Sequence, residues 1–100
     1  AEAEDGPRLS FALHAGFPNP FRSSTTISYA LPERGPVTVR VYDIKGRAVR
    51  TLVDEVKAAR FHTAVWDGLD DGGREAGSGV YFIRLEAGDK TFVKRCMLLR

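Results

Sequence analysis

Three carboxylates stand close together in a glycine-rich stretch, Asp67-Gly68-Leu69-Asp70-Asp71-Gly72-Gly73-Arg74. Hard oxygen ligands on a loop of this kind suit calcium, so Asp67, Asp70 and Asp71 are the candidate metal ligands of the chain. Their spacing does not follow the EF-hand template, and the bidentate glutamate that template needs is missing. Asp and Gly are also ordinary turn formers. The turn reading is preferred, and neither a metal nor any other cofactor is expected.

Other groups with chemical potential point to simpler roles. Trp66 and Tyr42 could form a platform on which a sugar stacks, but Trp66 stands in an alternating apolar run that suits a core position. Tyr42 falls on the polar face of its run. His14 and His62 are far apart in sequence and no nucleophile motif accompanies them: Gly77-Ser78-Gly79 lacks the Gly-x-Ser-x-Gly pattern of a nucleophile elbow. A catalytic triad is therefore not expected, nor a glycosidase pair, which needs a cleft that a chain of this size has little room for. Gly72-Gly73 has no strand–loop–helix context that would cradle a phosphate. Cys96 is the single cysteine. It excludes an internal disulfide and a multi-cysteine metal site, and suits a buried thiol in a strand. Enzymatic activity is thus not expected. The most suggestive feature is the last run, where Lys94, Arg95 and Arg100 are interleaved with Val93, Met97, Leu98 and Leu99.

These residues must be positioned by a small body. The chain of 100 residues allows one domain, and 43% hydrophobic with 28% charged residues marks a globular one. The formal net charge of +2 lacks the concentrated basic footprint of a nucleic-acid binder. No run approaches the roughly 20 apolar residues that span a bilayer, so direct membrane insertion is not expected. Residues 1–8, Ala-Glu-Ala-Glu-Asp-Gly-Pro-Arg, are acidic and polar. They read as a linker or cloning remnant, not as a signal peptide. An export address, if there is one, would lie on another part of the protein or at the far end of this chain.

The remainder, 9–100, reads as short alternating runs divided by Gly, Pro, Asn and Asp, without a sustained helical period. A short run at 9–14 is followed by a connector at 16–21, in which Phe17 and Phe21 are expected to pin the chain to the core. Residues 25–31 form a strand with Ile27, Tyr29 and Leu31 on one face, and 37–43 a second with Val37, Val39 and Val41 inward. Asp43-Ile44-Lys45-Gly46 is a hairpin turn in which Gly46 supplies a positive φ, and 47–53 returns as its partner. A polar connection covers 54–60, and 61–66 is a strand. Tyr81, Ile83 and Leu85 share a face of the strand at 79–87. A tight turn at Gly88-Asp89 leads to the last strand, 91–99. About seven strands at these spacings predict an all-β, antiparallel, immunoglobulin-like sandwich. No Cys…Trp…Cys pattern makes it an antibody-type domain.

Several segments carry a family likeness. Phe17-Pro18-Asn19-Pro20-Phe21 followed by Thr25-Thr26-Ile27, Val41-Tyr42-Asp43-Ile44-Lys45-Gly46-Arg47, Trp66-Asp67-Gly68 with Asp70-Asp71, Gly79-Val80-Tyr81-Phe82-Ile83-Arg84-Leu85, and Lys94-Arg95-Cys96-Met97-Leu98-Leu99-Arg100 occur in order. Together they resemble the C-terminal sorting domain of type IX secretion cargo and the immunoglobulin-like domain of the flagellar hook-capping protein. The likeness extends over about 11–100. It departs at Cys96, where that family often has Met, and at Arg100, where Lys is more usual.

The resemblance implies a non-catalytic module behind a covalently preceding cargo domain. Such a module would be recognised by outer-membrane secretion machinery, pass through the periplasm, and end at the cell surface or outside the cell. It would place the sorting signal on Gly79, Tyr81, Leu85, Lys94, Arg95, Leu98 and Arg100. The last strand would offer its edge to a receptor, with the basic side chains setting specificity. The alternatives are a structural scaffold of the hook-cap type and a carbohydrate-binding accessory module.

Overall fold

The computed structural model describes residues 10–100. The expected linker at 1–8 and the start of the first run at Leu9 lie outside the described residues. The rest folds as seven strands: β1 (Ala12–Phe17), β2 (Thr25–Ala30), β3 (Gly35–Tyr42), β4 (Ala48–Lys57), β5 (Phe61–Trp66), β6 (Gly79–Ala87) and β7 (Lys90–Leu98). They form two antiparallel sheets in the orders β1-β2-β5 and β4-β3-β6-β7. This is the immunoglobulin-like sandwich that the alternation predicts.

The core follows from the period of two. Ile27 and Tyr29 of one sheet face Val37, Val39, Val41, Ile83 and Leu85 of the other, and all are buried. Each such side chain contributes about 1.5–3 kcal/mol by leaving water. Trp66 is fully buried and joins the layers: Phe21 and Tyr81 meet its ring edge-on at centroid distances of 5.3 and 5.0 Å. Its Nε1–H donates to the Leu69 carbonyl at 2.9 Å, so the one polar atom of the indole is satisfied inside the apolar layer. Burial, aided by Glu55, raises the Tyr29 phenol above its ordinary value of 10, and burial likewise raises that of Tyr81. The Tyr81 hydroxyl donates back to the Gly77 carbonyl at 2.6 Å and fixes the approach to β6.

The turn at Asp43–Gly46 forms as expected. Gly46 has φ +82°, a conformation that costs a side-chain-bearing residue more. The Asp43 carboxylate accepts from the Lys45 and Arg47 amides at 2.9 and 3.0 Å and from Arg47 Nε at 3.0 Å.

Some expectations need correction. Phe17 does not pin the connector to the core: it is 81% exposed, and Phe21 alone is buried. The first strand also runs through Gly16 and Phe17, so the connector begins at Pro18. The Phe17–Pro18 and Asn19–Pro20 peptide bonds are both cis. The polar connection expected at 54–60 is mostly strand, because β4 continues to Lys57 beside Val37 and Gly35. As the sheet's outer strand, it can leave Asp54, Glu55 and Val56 exposed in succession.

Candidate interaction surface on the last two strands

The β6–β7 hairpin pairs Gly79 with Leu98 and Ala87 with Lys90 in unbroken register. Alternation then divides the predicted signal residues. Tyr81, Leu85 and Leu98 point inward and are buried. Gly79 opens β6 half-buried, while Lys94 and Arg95 are exposed. Lys94 lies opposite Ile83, on the inner side of the sheet's rim, and still reaches solvent; a long lysine stem permits this. Arg95 lies opposite Phe82 on the outer face.

Arg100 forms a separate clamp. Its backbone amide donates to Ser78 Oγ at 2.8 Å, its Nε to the Ala76 carbonyl at 2.9 Å, and its Nη2 to the Gly68 carbonyl at 2.6 Å. Glu75 stands 3.9 Å from Nη1. Gly68 has φ +76°, and a Cβ there would lie 2.9 Å from Arg100 Nη2. The glycine therefore serves both the turn and the approach of the guanidinium.

The outer edge of β7 is partly covered. Antiparallel pairing turns the peptide groups of alternate residues away from β6. On β7 these are Arg95, Met97 and the following Leu99. The Met97 amide donates to Asn19 Oδ1 at 3.0 Å, and Asn19 Nδ2 reaches the Arg95 carbonyl at 3.4 Å. The Phe21 amide donates to the Met97 carbonyl, and the Leu99 amide to the Phe21 carbonyl, both at 2.9 Å. Prolines at 18 and 20 lack an N–H, and the Asn19 side chain supplies the missing donor and acceptor. The outward peptide groups of Thr91 and Val93, at the beginning of β7, and the Arg95 amide have no such cap among the described residues.

The acidic turn does the same for β4. The Asp71 amide donates to the Val49 carbonyl at 2.9 Å, and the Thr51 amide to Asp71 Oδ1 at 3.0 Å. Asp67 Oδ1 accepts from Arg50 Nη1 and the Leu69 amide, both at 3.1 Å. Asp70 Oδ1 accepts from the Gly72 and Arg74 amides, both at 2.9 Å. The three candidate calcium ligands thus each hold backbone, and no three metal-ligating side chains gather among the described residues.

The sugar platform does not assemble. Trp66 is inside the core, and the face of Tyr42 is covered by the Arg84 guanidinium 4.4 Å from the ring centroid, with Arg84 Nη2 donating to the Tyr42 hydroxyl at 2.8 Å. His14 is exposed on the outside of its sheet. His62 stacks on Tyr29 at 5.3 Å with its Nε2 2.8 Å from the Ala58 carbonyl. The two histidines therefore serve different faces.

Sequence reasoning missed Asn19 and Asp71 as edge caps, and Phe82 with Val93 and Met97 as an outward apolar strip. The strip was visible as apolar residues on the face of β6 and β7 opposite Tyr81, Ile83 and Leu85.

Fold and surface together define a small immunoglobulin-like module of two packed antiparallel sheets. Residues 21–91 match the family model of the FlgD Ig-like domain, and the chain belongs to that family. Among solved structures it is similar to dimeric latent PorU from Porphyromonas gingivalis, with TM-score 0.70 and 22% identity over 96% of this chain. FlgD from P. aeruginosa follows with TM-score 0.59 and 27% identity over 77% of this chain. PorZ of Porphyromonas gingivalis, an essential bacterial surface component of the type IX secretion system, has TM-score 0.56 and 21% identity over 90%. The chain spans 10% of the PorU chain, 11% of PorZ and 66% of FlgD. No curated protein sequence matches at a significant level.

Proposed function

We propose that the domain is a C-terminal sorting and attachment module, read by type IX secretion machinery as it carries a preceding cargo domain across the outer membrane. The observation that carries this reading is the extent of the likeness to PorU. It takes in 96% of the chain, whereas the match to the FlgD Ig-like domain stops at residue 91, before nearly all of β7. Small size relative to PorU and PorZ also suits a module within a larger protein. Recognition would use exposed Lys94 and Arg95 and the uncapped start of β7, with Tyr81, Leu85 and Leu98 holding the hairpin in shape and Arg100 fixing its end.

The test is export of a reporter fused to the whole chain in a type IX-competent bacterium. The fusion is expected at the surface or in the medium. A Lys94→Glu/Arg95→Glu form, confirmed folded by circular dichroism, is expected to stay in the periplasm. Retention of the intact fusion while a native cargo is exported would sink the reading. The family match and the likeness to FlgD favour a hook-cap type scaffold as the second reading. That reading expects the domain to associate with a self-assembling partner region instead.

A further inference from the structure

An antiparallel sheet with one solvated face ordinarily turns polar side chains outward. The outer face of β3, β6 and β7 departs from this. Cross-strand partners put Tyr42 beside Phe82 and Phe82 beside Arg95, with Arg84 beside Val93 and Val80 beside Met97. Val93 is 51% and Met97 39% exposed. Aromatic, Met and Arg side chains together are the residues enriched at protein interfaces.

The face is also shaped. One concavity, of about 220 Å³, is lined by Tyr42, Ile44, Phe82, Arg84 and Val93. Another, of about 390 Å³, is lined by Asn19, Pro20, Val80, Arg95 and Met97. The Phe82–Arg95 pair stands between them. Arg84 is held by Tyr42 and lies 3.5 Å from Glu86, whereas Arg95 has no carboxylate partner among the described residues. Asp43, the acid beside the first concavity, is taken up by the Lys45 and Arg47 amides and Arg47 Nε.

We propose that this face binds an extended acidic peptide that presents an apolar, a carboxylate and an apolar side chain at alternate positions. The register sets the pattern. Val93, Arg95 and Met97 occupy every second position of one strand and span about 13 Å at about 3.3 Å per residue. An extended ligand has the same period, so its outer apolar groups enter the two concavities while its central carboxylate meets Arg95. A guanidinium forks onto a carboxylate, which a lysine in the ligand would oppose. The proposal shares Arg95 with the export reading but does not rest on it, and peptide binding by the isolated chain is measured apart from export.

The experiment is a fluorescence-anisotropy titration of the full chain against a labelled synthetic nonapeptide with Leu-Ser-Glu-Ser-Phe at its centre, beside the same peptide with Lys for Glu. The acidic peptide is expected to bind at least tenfold tighter, roughly the difference one good charge-assisted contact makes. Arg95→Glu should reverse the preference. Phe82→Ser, folded by circular dichroism, should weaken both peptides. Equal binding of the two peptides, or indifference to Arg95→Glu, overturns the proposal. So does a concentration-dependent dimer in sedimentation that Arg95→Glu disperses, which would give the face to a second copy of the chain.

Discussion

Asn19 stands in for a missing strand beside Met97: its side-chain carbonyl accepts the Met97 amide at 3.0 Å and its amide reaches back to the Arg95 carbonyl at 3.4 Å. One side chain thereby gives the flank of β7 what a peptide group of a neighbour would give. Asn19→Ala is expected to cost about 0.5–1 kcal/mol, because water replaces the lost partners at this exposed site. It also lengthens the open edge, so the variant should scatter more light on concentration than the parent. Urea denaturation and static light scattering measure the two effects. An unchanged midpoint with unchanged scattering would deny Asn19 its capping role.

The clamp at Arg100 distinguishes a guanidinium from an ammonium. Arg100 reaches the carbonyls of Gly68 and Ala76 through separate nitrogens. Lysine is a point donor and cannot span both. Arg100→Lys should lower the melting temperature measurably, and Gly68→Ala should lower it further, since it adds positive-φ strain and displaces the guanidinium. If Arg100→Lys melts with the parent, the clamp contributes nothing to stability.

Acid should act through Asp43. The amides of Arg47 and Lys45 and the Arg47 side chain hold its carboxyl below its ordinary value of 3.8, the Arg47 amide most strongly. The lowered value means the folded state releases this proton more readily than the unfolded one. Its stabilisation is therefore present above about pH 4 and lost as the pH falls below that toward the folded value. Asp43→Asn keeps an acceptor for both amides without the charge. Its stability should fall less steeply than the parent's between pH 5 and pH 2, read by urea midpoints across that range. Parallel curves would contradict this.

Cys96 should behave as a sealed thiol. It is 1% exposed, and burial pushes its ionisation up from 9.0 to about 11. A raised value favours the protonated form in the folded state, so this contribution is intact below pH 9 and drains away as pH climbs toward 11. At pH 8 the native chain should react with a thiol reagent such as dithionitrobenzoate only at its unfolding rate, and at once in denaturant. Fast reaction of the native chain would mean the strand opens locally.

Strands with one buried face were legible because alternation at Ile27, Tyr29 and Leu31, at Val37, Val39 and Val41, and at Tyr81, Ile83 and Leu85 can only be satisfied by a sheet. The end of β4 was not, because a strand with exposed residues on both faces has no pattern to display: Asp54, Glu55 and Val56 look like loop until Val37 and its neighbours pair with them. Phe17 misled for the opposite reason, since an aromatic on an outer face reads as core. The candidate surface was legible as a basic, apolar ending. That Tyr81, Leu85 and Leu98 lie inside, Lys94 at the inner rim and Arg95 on the outer face follows from register, which only the pairing of β6 with β7 defines. Asn19 was read as part of a connector and Asp71 as a turn former. Turn residues and edge caps share the same short polar side chains, and only the position of the neighbouring strand separates them.

Trp66 is the chain's only tryptophan and sits between Phe21, Tyr81 and the Leu69 carbonyl, fully buried. The molecule therefore contains its own optical gauge. Its emission should be blue-shifted and shielded from dissolved quenchers for as long as the two layers stay docked. Fraying at the start of β7 leaves that signal untouched, while separation of the layers shifts it to the red. A single unlabelled spectrum can thus tell a loosened rim from a parted interior, even with the domain fused to a tryptophan-free partner.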